Sequence, residues 1–120
     1  MAIADLHHVS INVDNLALAL PFYTEVLGLA LLPRPEFGIA GAWLATAGGR
    51  QVHLIETARV PPDVGQHFAF RVTELDAAIV GLDAHGVKVS RVLETEVSRQ
   101  VAFLDPCGNR IEFNEPKSAV

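Results

Sequence analysis

His8, His53, His67 and Glu112 are the residues of this chain whose types and spacing point to joint chemistry. Three imidazoles and one carboxylate suit a divalent transition metal such as Zn, Ni, Fe, Co or Mn better than the oxygen-seeking Ca or Mg. The spacing is regular, because His8 to His53 and His67 to Glu112 each span 45 positions. Taken singly, each histidine reads as an ordinary strand residue. The joint pattern is what argues for one shared ion per site.

A donor becomes a ligand only when its element aims it. In LHHVSINV, residues 6–13, strand alternation puts His8, Ser10 and Asn12 on one face and His7, Val9, Ile11 and Val13 on the other. By the same rule His53 shares a face with Gln51 and Ile55, His67 with Ala69 and Arg71, and Glu112 with Arg110 and Asn114. The opposite faces, Val9-Ile11-Val13, Val52-Leu54, Phe68-Phe70-Val72 and Ile111-Phe113, are apolar and suited to lie against a helix. Each donor therefore projects from the polar side of its strand. Ser10, Asn12 and Arg71 become candidates for substrate contact, and Trp43 with Phe37 for a pocket wall. Arg34 and Arg71 are candidate receptors for a substrate carboxylate, with Arg71 preferred because it shares the His67 face. His85 at a helix end and Cys107 in a turn read as incidental.

The elements that carry these faces follow one order twice. After the first strand, Asp14 or Asn15 can cap a helix with Leu16, Leu20, Tyr23 and Leu27 as its apolar stripe and Gly28 as its terminator. Pro21 predicts a late helix start or a bend. Strands are expected around 30–35, 41–47 and 51–57, the last two joined by a Gly48-Gly49 turn. ARVPPDVGQ, residues 58–66, reads as a stiff linker. HFAFRV then begins a second round, in which Thr73 with Asp76 resembles a capping box, Leu75, Ile79 and Leu82 form a helical stripe, and KVSRVLE, RQVAFL and RIEFNE supply strands. DPCGN, 105–109, is a turn. A slide of 59 residues lays His8 on His67, Ile11 on Phe70, Leu16 on Leu75 and His53 on Glu112. The expectation is an α+β fold of tandem βαβββ modules, 5–57 and 67–115, in one domain spanning 1–120.

Composition narrows the function classes. A net charge of -5 without a block of like charges argues against nucleic acid and anionic membrane as partners, and leaves a small molecule as the expected one. The most apolar region, 16–32, is interrupted by Pro21, Glu25 and Gly28 and is too broken to span a membrane. One cysteine and a start that lacks the basic and apolar regions of a signal peptide fit a reducing cytoplasm.

LHHVSINVDNLALALPFYTEVLGL, HFAFRVTELDAA and FLDPCGNRIEF together resemble the vicinal oxygen chelate superfamily, which includes glyoxalase I, extradiol dioxygenases, methylmalonyl-CoA epimerase, fosfomycin-resistance thiol transferases and bleomycin-resistance proteins. The resemblance runs over essentially the whole chain, and GAWLATAGGRQVHLIE resembles a glyoxalase-like subgroup. It implies that His8, His67 and Glu112 fall on recurring metal positions. His53 falls where glyoxalase I has a glutamate ligand and the epimerase a glutamine, so it is either a fourth ligand or a group that contacts substrate. The resemblance also implies curved sheets forming half-barrels, paired in a homodimer whose sites take His8 and His53 from one chain and His67 and Glu112 from the other. The expected activity is metal-dependent lyase or isomerase chemistry on an oxygen-chelating substrate, with Glu112 as the catalytic carboxylate. The alternatives are an extradiol-type dioxygenase and a drug-binding protein. The thiol transferases are less well matched, since Ala102 stands where their tyrosine is expected.

Overall fold

The computed structural model describes residues 1–118. The chain divides into two compact units, Met1–Pro61 and Pro62 onward. In the first, strand β1 (His8–Val13) leads into helix α1 (Leu16–Pro21), a π-helical turn (Phe22–Val26), and strands β2 (Ala30–Leu32), β3 (Gly41–Ala45) and β4 (Gln51–Glu56). In the second, β5 (Phe68–Arg71) is followed by α2 (Leu75–Ala84), β6 (Leu93–Glu94), β7 (Ser98–Leu104) and β8 (Arg110–Pro116). Each unit forms a four-stranded mixed sheet, ordered β1-β4-β3-β2 and β5-β8-β7-β6. The first pair in each order is parallel and the others are antiparallel. This is the α+β architecture that the repeated pattern implied.

The internal repeat survives in the hydrogen-bonding register. Ser10 faces His53 and Ala69 faces Glu112 in the parallel pairs, while Trp43 faces His53 and Ala102 faces Glu112 in the antiparallel ones. All these positions are related by 59. Side-chain alternation then sends Val52 and Leu54 to one face, where they are 2% and 1% exposed; Val13, Tyr23 and Leu44 of the same unit are fully buried. In the second unit Leu75, Leu82, Val101, Phe103 and Ile111 are buried in the same way. Burial on one face fixes the register, because a slip of one residue would turn every apolar side chain outward.

Helix initiation is handled by both local and distant groups. Asn15 Oδ1 accepts from Leu18 N at 3.1 Å, as expected of an N-cap. Glu56 of β4 additionally receives Leu16 N at 2.8 Å, and Glu115 of β8 receives Leu75 N at 2.7 Å, again a pair related by 59. The expected Thr73/Asp76 capping box is replaced by this contact. Glu74 occupies the cap position without a side-chain bond, and Asp76 pairs instead with Arg99. Pro21 neither delays α1 nor breaks the coil. Lacking an N–H, it ends the α-helical run, which passes directly into the wider turn closed by Leu27 N to Phe22 O.

Two expected strands are shorter than their patterns. The strand expected at 30–35 spans Ala30–Leu32, and the one expected over KVSRVLE is confined to Leu93–Glu94. Ser90 explains the second case: its Oγ accepts from Ala102 N at 2.8 Å, in place of the carbonyl that a continued ladder would use. Asp105, 4% exposed, closes the β7–β8 turn by accepting from Cys107 N and Asn109 N, each at 2.8 Å, and from Asn109 Nδ2 at 2.9 Å. Gly108 adopts a φ of 89° in that turn, a conformation open to glycine with little cost. Among the described residues no helix is long and apolar enough to cross a membrane.

Candidate metal centre

In the first unit three rings form a stack across neighbouring strands. His53 of β4 lies between Trp43 of β3, with ring centroids 4.5 Å apart and planes at 12°, and His8 of β1, at 4.0 Å and 14°. The register brings them together, since Trp43 and Ser10 are the direct neighbours of His53 and His8 sits one pleat away on the same face. His53 is consequently 8% exposed although it lies on the polar side of its strand. Its Nε2 meets Gln51 Oε1 at 2.8 Å and can donate to it. His8 remains exposed and its Nδ1 lies 2.9 Å from His7 Nδ1. One of these two nitrogens must carry the proton and the other the lone pair. His7 thus touches the edge of His8 at the exposed start of the strand.

Burial, followed by the charges of His8, His7 and Arg34, holds the His53 imidazole below its ordinary value of 6.5. It is therefore the neutral form, able to donate a lone pair, that persists at neutral pH. Folded His53 takes up a proton less readily than unfolded His53, so its effect on stability is absent above about pH 6.5 and appears as a loss of stability as pH falls below that value. Urea unfolding at pH 7.5 and 5.5 should show a larger loss for the wild type than for His53→Gln; equal losses would assign the acid sensitivity to other groups.

The second unit holds the other donors. His67 lies immediately before β5 and is exposed, and its Nδ1 lies 2.7 Å from Gly65 O. A carbonyl only accepts, so Nδ1 carries the proton and neutral His67 has its lone pair at Nε2. That nitrogen lies 3.3 Å from Glu112 Oε1. Glu112 is further held by Gln100 Nε2 at 3.2 Å and Asn114 Nδ2 at 3.1 Å. An imidazole lone pair and a carboxylate face one another here, a juxtaposition completed by a proton or a cation. The Gly65 carbonyl behind the imidazole matches the outer partner that orients metal-binding histidines. The donor chemistry therefore fits a divalent transition metal.

Each unit brings two expected donors together, His8 with His53 and His67 with Glu112. No group of three or more His, Cys, Asp or Glu able to hold a metal ion occurs among the described residues. Ser10 is exposed beside His53, and Trp43 is part of the ring stack. Asn12 Nδ2 donates to Arg59 O at 2.8 Å, and Arg71 is exposed opposite Asn114. Sequence reading missed the Gly65 carbonyl and Gln100. Alternation along β7 would have placed Gln100 on the Glu112 face, whereas no local signal marks the carbonyl.

The sequence pattern of the Glyoxalase/Bleomycin resistance protein/Dioxygenase superfamily matches residues 5–113. The chain belongs to that superfamily. Among superfamily relatives, the glutathione transferase FosA of Serratia marcescens is 34% identical, with 91% of this chain and 79% of FosA covered. The crystal structure of a glyoxalase-family protein from Bacillus anthracis aligns with a TM-score of 0.87 at 28% identity, covering 98% of both chains. TnmS3, an antibiotic-binding protein from Streptomyces sp. CB03234, aligns with a TM-score of 0.85 at 30% identity, covering 98% of this chain and 99% of its own. Superfamily members thus include both enzymes and binding proteins on this fold, and the fold alone does not choose between them.

Proposed function

We propose that the protein is a divalent-metal-dependent enzyme of glyoxalase-like type that performs lyase or isomerase chemistry on a small oxygen-chelating substrate. The observation that carries this reading is the approach of His67 Nε2 to Glu112 Oε1 at 3.3 Å, with His67 Nδ1 turned to Gly65 O. His8, His67 and Glu112 would hold the ion, with His53 either joining them or contacting substrate. When bound, a divalent ion supplies Lewis acidity that stabilises negative charge on substrate oxygens. Glu112, the one carboxylate of the set, is the group to move a proton between neighbouring substrate carbons. Gln100 and Asn114 orient that carboxylate through their amide N–H groups. Trp43 and His53 stack on the polar face of the first sheet and offer a flat apolar wall to substrate. A cytoplasmic homodimer, in which the His8/His53 pair of one chain meets the His67/Glu112 pair of another, would complete the site.

Metal content is the direct test. Protein purified without chelator and reloaded anaerobically with Mn, Fe, Co, Ni and Zn should retain about one ion per chain, and mass spectrometry reads the amount. Retention of Ni, Co or Zn directs assays to isomerase and lyase substrates. Retention of Fe or Mn alone, with oxygen uptake on catechols, would replace this reading by the dioxygenase one. No retained ion would replace it by ligand sequestration, which the likeness to TnmS3 and the ring stack then favour.

A further inference from the structure

The two units differ at several positions that their shared register makes equivalent. At positions related by 59, Arg34 stands against Leu93, Gly41 against Gln100 and Trp43 against Ala102. At these positions the first unit carries a cation and an indole where the second carries a leucine and an alanine. Arg34 is one of three part-buried arginines among the described residues. The other two face carboxylates: Arg99 pairs with Asp76, Glu94 and Glu115, and Arg110 with Asp63. Arg34 has no such partner among the described residues. Its Nε is buried without a hydrogen bond, and its guanidinium carbon lies 5.0 Å from the Phe37 ring centroid. That ring is 56% exposed. Contact with an exposed ring does not replace the hydrogen bonds a buried guanidinium N–H loses.

Gly41 shows where this cation lies. A Cβ at Gly41 would stand 2.3 Å from the Leu54 carbonyl oxygen, 3.0 Å from Arg34 Nη2 and 3.1 Å from Cζ, so the absent side chain leaves room for both the neighbouring strand and the guanidinium. Gly41 faces Ile55 and Trp43 faces His53, which puts both on the polar side of the sheet that carries the ring stack. Every other side chain that alternation assigns to this face, His8, Ser10, Asn12, Ala30, Leu32, Ala45, Gln51 and Ile55, is neutral or basic. No carboxylate of the sheet answers the guanidinium, whose planar fork matches a carboxylate in two-point contact.

We propose that the polar face of the first unit binds a small organic carboxylate, with Arg34 as its anion receptor and Trp43 and Phe37 against its apolar body. This names the substrate class of the site described above and rests on that face being its substrate side. Trp43 is the single tryptophan, so its fluorescence reports binding directly. Benzoate and its uncharged analogue benzamide are titrated against chelator-dialysed and metal-reloaded protein. Wild type is expected to bind benzoate at least tenfold more tightly than benzamide, Arg34→Gln to lose that preference, and Arg34→Lys to keep part of it. Equal binding of the two probes by wild type, a preference that survives Arg34→Gln, or absence of saturable benzoate binding would each overturn the proposal. A preference seen only in reloaded protein and untouched by Arg34→Gln makes the ion the anion receptor, and also overturns it. An Arg34-dependent preference in protein that retains no metal sustains the proposal while the metal-enzyme reading alone fails.

Discussion

His8→Ala is expected to abolish tight retention of a divalent ion, whereas His7→Ala weakens it about tenfold, the lower end of what losing an outer partner of a ligand costs. The difference follows from the 2.9 Å contact between the two Nδ1 atoms. When His8 Nδ1 donates to His7, the His8 lone pair is held at Nε2, away from His7 and available for an ion. Removing His8 deletes the donor, while removing His7 only frees the ring to turn and to change tautomer. Alternation alone would have His7 dispensable, and the contact gives it an intermediate rank. Isothermal titration with Ni or Co at pH 7.5 checks both variants. Retention by His8→Ala together with loss in His7→Ala would reassign the ligand and reject the proposed face.

Asp105→Ala should be the most destabilising single change in the second unit's turns. Its buried carboxylate collects two backbone N–H groups and the Asn109 amide in a turn whose other residues are half-buried or exposed, and alanine removes that shared acceptor. Leaving buried donors unsatisfied costs about 1–3 kcal/mol each, and because part of the turn can rehydrate, a loss of about 2–4 kcal/mol is expected. For a chain of this size that lowers Tm by on the order of 10 °C. Asp105→Asn, which keeps an acceptor oxygen, should lose less. The same hairpin sets Ala102 opposite Glu112, so metal retention by Asp105→Ala should fall in step with unfolding and recover on cooling. A Tm within about 2 °C of wild type would show that water replaces the carboxylate fully.

Much of the fold is legible in the chain because strand alternation and helical periodicity are local. The apolar sets Val52-Leu54 and Ile111-Phe113 identify the buried faces, and the polar sets beside them locate His53 and Glu112 before any contact is known. The 59-residue repeat extends this over long range, since a duplicated unit must keep its pairing register to bury both cores. Boundaries are less legible at β2, and at β6, where Ser90 diverts a ladder bond through its side chain.

Residue types, spacing and alternation by themselves determined the repeated βαβββ order and the sides of the chain from which the four donors project, and the resemblance of three stretches to known sequences pointed to the family. The tertiary structure decided what those donors meet. Glu56 and Glu115 cap helices 40 positions away, Gly65 sets the His67 tautomer, and Trp43 and His8 close over His53. Arg34 finds its seat over Gly41. The physical reason is the reach of the interactions: periodicity records which side of a strand a residue faces, while a hydrogen bond or ring contact depends on a partner that only the folded chain brings near.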